Sequence, residues 1–222
     1  MFMFSFSEEE LKEFKKLTEL YLAIKEKVIY LEEIDPDLKT PAQALTEFRD
    51  ALDHIMRVLS VKLDVRAGIP DKKKEEYITK NLSKAYDHLF RAGYDVLDMC
   101  SLIIRSKIAG ELEGYEVEVI NTALPEYYPI IKPGIEEITE EFVKARKGKD
   151  VGISGLENFD LYLEQIDKLK GYYKKILKAQ PSLIEISKKT KETKWKNLII
   201  VAILGIIGGV AVAYLANLFI KS

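Results

Sequence analysis

Residues 198–220 read LIIVAILGIIGGVAVAYLANLFI. The run carries no charge over 23 residues, and only Tyr214 and Asn217 are clearly polar. At about 1.5 Å per residue a helix of this length reaches roughly 35 Å, enough to cross a hydrocarbon core of about 30 Å with some tilt. In lipid every backbone N–H and C=O must be satisfied within the segment, so the run is expected to be a membrane-spanning helix. Core helices of soluble domains rarely keep such a length free of charge. The rest of the chain is then read as a body outside the membrane.

The flanks set the expected orientation. Lys188, Lys189, Lys191, Lys194 and Lys196 precede the span with Glu192 as the one acid among them, whereas Lys221 and Ser222 follow it. Lysine excess belongs on the cytoplasmic side, and Trp195 sits where an interfacial aromatic would sit. The expected localisation is therefore the cell membrane, single-pass, with the bulk of the chain facing the cytoplasm in a tail-anchored topology. Residues 1–6 are too short for a signal-peptide h-region and lack a basic n-region. Within the span, Ala202, Gly205, Gly209, Ala213 and Ala216 recur at helical spacing on one stripe. Small stripes let membrane helices approach closely, so homo-oligomerisation through this helix is expected.

The remaining length suits one domain with its own core. A net charge of −2 argues against a general nucleic-acid binder. One cysteine, Cys100, excludes a disulfide framework and a Cys-based zinc site. With His54 and His88 as the only histidines, a His-rich metal centre is excluded too. Neither phosphate-binding loops nor hydrolase or metalloprotease motifs occur, and nothing requires a cofactor or metal. The Lys- and Glu-rich balance resembles that of thermophile proteins.

In chain order, Ser7 and Glu10 form a capping box for a first helix with a seam of Leu11, Phe14, Leu17, Tyr21, Ile24, Val28 and Leu31, ending near Ile34. Residues 35–37 break it. Thr40, Pro41 and Gln43 are placed to cap a second helix, with a seam of Leu45, Phe48, Leu52, Ile55 and Leu59, running to about Arg66. A third helix is expected from Asp71 to about Lys107. Its seam is Ile78, Leu82, Ala85, Leu89, Ala92, Val96, Met99 and Ile103, and a second apolar stripe predicts a central position in a bundle. A shorter helix is expected over residues 111–124. The prolines of residues 125–134 exclude a continuous helix there. Helices over 135–147 and from Ser154, with Glu157 closing a box, to about Gln180 follow, and Pro181 restarts a last helix. No strand pattern of any length occurs. The expected fold is all-α: a bundle of five or six helices over residues 1–187, a basic juxtamembrane segment over 188–197 and the span over 198–220.

One local echo concentrates the candidate chemistry. Asp53-His54-Ile55-Met56-Arg57 and Asp87-His88-Leu89-Phe90-Arg91 share a D-H-apolar-apolar-R pattern and use both histidines. An antiparallel hairpin of the second and third helices would bring them close. The plain reading is a lattice of i, i+4 ion pairs, Arg49–Asp53–Arg57 and Asp87–Arg91–Asp95. A sharper one is a metal site from Asp50, His54, His88 and Asp95, although bundle sites usually supply more Glu and His.

Arg49-Asp50-Ala51-Leu52-Asp53-His54 reads R-D-x-x-x-H, which resembles the motif of HEPN ribonucleases. The resemblance implies an all-α bundle working as a dimer, with the motifs of both protomers at the interface. It implies that His54 serves in acid–base transfer at the 2′-OH, that Arg49 stabilises the scissile phosphate, and that Asp50 fills the polar position without a metal. An imidazole that titrates near neutrality and a guanidinium matched to phosphate suit that chemistry.

Three functions are thus expected in order. The first is a membrane-anchored interaction, scaffold or sensor module whose partners are the bilayer, further copies of the chain and a protein. The second is a tethered ribonuclease of a stress or defence system, the one reading that requires RNA. The third is an oligomer that disrupts the membrane. Residues 125–134 and 148–155 are expected partner-binding loops.

Overall fold

The computed structural model describes residues 5–35, 40–65, 68–148 and 155–220, with side chains for all of these except 145–148, 155–158 and 211–220. It is all-α: α1 (Glu8–Ile34), α2 (Ala42–Lys62), α3 (Asp71–Leu112), α4 (Val117–Ala123), a π-helical turn (Tyr127–Ile131), α5 (Lys132–Gly148) and α6 (Gly155–Ile220). No strand occurs among the described residues. Two compact units form, one of Met1–Ala109 with Gly134–Tyr173, the other of Gly110–Pro133 with Lys174–Ser222.

In the first unit α1 starts on its capping box: Ser7 Oγ accepts from the Glu10 backbone at 3.2 Å, and Glu10 Oε2 accepts from the Ser7 backbone at 2.7 Å. α2 starts without a side-chain cap, because the Thr40 hydroxyl donates instead to Glu32 at 2.5 Å. Its end at Lys62 falls short of the expected Arg66, which lies outside the described residues, and Asp64 there adopts a left-handed φ of 56°. That conformation ends the helix, and an Asp tolerates it better than most residues.

α3 is the central helix. Its first half packs on α2 and carries the expected seam, with Ile78, Leu82, Ala85, Leu89, Ala92 and Val96 all buried. Further along the seam turns. Met99 and Ile103 are only half-buried, while Tyr94, Leu97, Cys100 and Ile104 are enclosed. The neighbours change at this point. Tyr162 of α6 donates its hydroxyl to Asp98, and Arg105 donates to Thr139 Oγ1 of α5 at 3.0 Å. Gly93 exists for this packing: a Cβ there would lie 2.6 Å from the Phe159 ring. Around it Phe90, Tyr94, Phe142, Phe159 and Tyr162 form an aromatic cluster with centroids 4.2–5.8 Å apart, and each such pair adds about 0.5–1.5 kcal/mol beyond burial.

The expected seams of α1 and α2 are corrected. Leu11, Tyr21, Leu45 and Leu52 are exposed, and the buried residues are Leu17, Leu20, Ile24 and Leu31 on α1 and Ala44, Ala51, His54, Val58 and Val61 on α2. The core takes the alanine stripe of α2: Ala44 and Ala51 are buried on the face whose Glu47 and His54 bond to α3, where small side chains permit close approach.

In the second unit α3 ends at Leu112, past the expected Lys107, and Gly114 with φ 80° makes the turn into α4. Residues 127–148 are helical through Pro129 and Pro133, contrary to the reading of 125–134 as a break. The π turn explains it: Ile130 and Ile131 both donate to Glu126 O at 3.0 Å, so the missing proline N–H falls where the ladder is already irregular. Pro133 follows directly on that turn, whose last bond runs from Lys132 N–H to Tyr127 O.

α6 also passes through Pro181 unbroken. Loss of its hydrogen bond to residue 177 ordinarily costs about 3 kcal/mol. Burial of Ile176, Ala179 and Leu183, and two bonds from Gln180 Nε2 to Glu111 (2.8 Å to O, 2.7 Å to Oε2), hold the helix across it. Among the described residues one helix is long and apolar enough to cross a membrane, and none of its apolar window is buried. Residues 149–154, where the glycine-rich loop and Ser154 were expected to act, lie outside the described residues.

Candidate functional site

The echo places both histidines on the α2–α3 seam. Glu47, Ala51, His54 and Val58 follow one face of α2, and Asn81, Ala85, His88 and Ala92 one face of α3. The helices run antiparallel here, so residues two turns apart on one helix meet residues two turns apart on the other.

His54 is 9% exposed, and its Nδ1 lies 2.8 Å from Asn81 Oδ1. Asn81 Nδ2 donates to Tyr77 O at 2.7 Å, which fixes the amide with its oxygen toward His54. A carbonyl oxygen only accepts, so His54 Nδ1 carries a proton and donates to it. At the other end Glu47 Oε2 accepts from Arg91 Nε at 3.0 Å and lies 2.7 Å from His88 Nδ1. Arg91 Nη2 is also 2.7 Å from His88 Nδ1. One nitrogen serves only one of these as a neutral ring. The Nδ1–H form matches the carboxylate, whose acceptor sites need donors in this half-buried place. The two imidazoles stack with centroids 5.3 Å apart and 23° between planes.

Arg49 lies elsewhere. Its side chain is 72% exposed and donates through Nε and Nη2 to Asp50 Oδ1 at 2.9 and 2.7 Å. These bonds hold the Asp50 carboxyl below the usual carboxylate range, with Arg49 and the two histidines adding smaller electrostatic help. Five positions separate Arg49 from His54, which sets them about 140° apart around the helix.

Part of the expected ion-pair lattice is present. Asp53 and Arg57 pair at 2.7 Å on the solvated side of α2. Arg91 reaches across to Glu47, Asp87 is exposed, and Asp95 is half-buried. Among the described residues no group of three or more His, Cys, Asp or Glu is placed to hold a metal ion, so Asp50, His54, His88 and Asp95 do not assemble into one. On α6, Ala202 and Gly205 are exposed, and a Cβ at Gly205 or Gly209 would meet nothing within 4 Å. The side chains of Ala213 and Ala216 lie outside the described residues.

Sequence reasoning missed Glu47 and Asn81. The signal was present, since each stands two turns from a histidine on the same face.

The second feature lies on the flank of α2 next to that face. Leu45, Phe48, Leu52 and Ile55, with Phe14 and Tyr21 of α1, line an apolar groove of about 660 Å³ between the two helices. Lys25, Glu32, Thr18 and Thr40 supply its polar groups.

No family model matches the chain, and no similar curated protein or solved structure was found.

Proposed function

We propose that this chain is a single-pass, membrane-anchored interaction module, a scaffold or sensor whose helical body faces the cytoplasm. The observation that carries the reading is the outward apolar face of α1 and α2. A chain with 32% charged residues has polar side chains enough for this face, yet it presents leucines there. A contiguous apolar surface around a groove is the mark of a contact site. The lysines before the span supply the orientation. Continuity of α6 from Lys174 into the span favours a sensor over a loose tether, because a helix passes displacement on where a flexible linker absorbs it.

The test is photo-crosslinking of the full chain in native membranes, with the reactive group placed in turn at positions 45, 52 and 56. Discrete protein adducts, inaccessible to protease outside intact cells, are expected. Failure of all three positions to give any adduct overturns the reading.

A second reading, a metal-independent ribonuclease, draws on His54, stacked on His88, with Asp50 one turn before it on α2. Cleavage of single-stranded RNA by the detergent-solubilised chain, abolished by both His54→Ala and Arg49→Ala, would establish it. An interaction module leaves RNA uncut.

A further inference from the structure

We propose that the occupant of the α1–α2 face is a second copy of this chain. The inference rests on the interaction-module reading and names its partner. Leu11, Leu22 and Ile29 of α1 and Leu45, Leu52 and Met56 of α2 are each 52–54% exposed. Leu22 and Ile29 stand one turn from Thr18 and Lys25 of the groove wall, so the six residues belong to one surface. Half-exposed, they present on the order of 600 Å² together, the upper end of the largest apolar patch on a typical monomer, against the roughly 800 Å² that a standard interface takes from each partner.

The surface is complementary to itself. It consists of a groove between two helices whose α2 wall carries the ridge Leu45–Leu52–Met56. A two-fold axis seats the ridge of each copy in the groove of the other, the isologous arrangement of most homodimers. The groove wall holds Lys25 and Glu32, and Arg49, on the ridge one turn from Leu45 and Leu52, is paired with Asp50 at 2.7 Å, so two like surfaces meet without a like-charge excess. Anchoring by α6 keeps both copies in one bilayer and raises their effective concentration. Leu52 and His54 are two positions apart, about 200° around α2, so the ridge of this dimer points away from His54. The nuclease arrangement requires the motifs within the interface.

The experiment uses the full chain in native membranes and in detergent, with Cys100→Ala as background. Cysteines at Leu45→Cys, Leu52→Cys and Met56→Cys are oxidised in turn, with Lys84→Cys on an exposed turn of α3 as control. At least one of the three is expected to give a disulfide-linked dimer that survives about tenfold dilution into added lipid, while Lys84→Cys gives none. In detergent, Leu45→Glu with Leu52→Glu is expected to raise the dimer dissociation constant at least about tenfold, as loss of central apolar anchors does. Unchanged helicity and melting show that the variant folds, because both positions are already half in solvent.

A monomer at all concentrations overturns the proposal. So does a dimer indifferent to the two glutamates and lost on Gly205→Leu with Gly209→Leu, which assigns assembly to the span. If no homodimer forms but position 52 photo-crosslinks another protein, the second copy is wrong and the interaction module stands. If no adduct of any kind forms, both fall.

Discussion

His54 and His88 stack 5.3 Å apart, and each is gripped by a residue of the opposite helix: Asn81 of α3 for His54, Glu47 of α2 for His88. Two turns separate Glu47 from His54, and two separate Asn81 from His88. A single antiparallel register therefore satisfies both bonds, and a slip by one residue would break both. The cluster is a register lock, whatever chemistry it also performs.

Removing one partner should expose that lock. Asn81→Ala leaves the His54 Nδ1–H buried without an acceptor, at an expected cost of about 1–3 kcal/mol. His54→Phe in the same chain should recover part of the loss, because the orphaned donor goes with it. Thermal melting of the solubilised protein reads both variants. If the double variant melts no higher than the single, the bond is not what Asn81 contributes.

Gly93 and Gly110 give opposite forecasts on one helix. At Gly93 an added Cβ meets Phe159 Cε2 at 2.6 Å and Ile24 Cδ1 at 3.1 Å, so Gly93→Ala should destabilise by about 1–3 kcal/mol. Phe159→Leu should relieve much of it. At Gly110 a Cβ meets nothing within 4 Å, and Gly110→Ala should stabilise by about 0.5–1 kcal/mol through helix propensity. Equal effects of the two changes would contradict the packing of α3 against α6.

Glu10 serves α1 twice. It closes the capping box and pairs with Lys62 of α2 at 2.5 Å, where both side chains are nearly enclosed. Lys62 also donates to Ser5 O at 3.3 Å and lies over the Phe6 ring at 5.5 Å. Glu10→Ala should cost about 3 kcal/mol, because it leaves an enclosed ammonium without its anion. Ser7→Ala, which removes only the cap, should cost about 1 kcal/mol. Chemical denaturation of the two variants separates these contributions.

Stability should fall in alkali. Burial pushes the Cys100 thiol from 9.0 up to about 12. It also pushes Tyr30 from 10.0 up to about 12, with the negative charges of Cys100, Tyr173 and Asp167 as smaller causes. Both groups are neutral when folded below pH 9. A raised pKa of this kind leaves stability whole below the unfolded value and removes it as pH climbs through the folded one. The melting temperature is therefore expected to be flat from pH 7 to about 9 and to drop between about 9 and 12. Cys100→Ala and Tyr30→Phe should each flatten that drop. In the native protein Cys100 should resist thiol reagents at pH 8 and react only on unfolding.

The sequence alone determined the all-α class, most of the helical segments and which one is apolar enough to span a membrane, because periodicity, charge-free length and caps such as Ser7–Glu10 are local properties. It also marked the two histidines as a pair. It could not choose between the two stripes of α2. Leu45–Phe48–Leu52 and Ala44–Ala51–Val58 are both apolar, and hydrophobicity favours the leucines. Only the tertiary structure decided for the alanines, since small side chains on that face let Glu47 and His54 reach polar partners on α3. That choice turned the leucines outward and made the groove. Pro129, Pro133 and Pro181 were likewise misread as breaks, because whether a helix survives a proline depends on packing and side-chain bonds supplied from elsewhere in the fold.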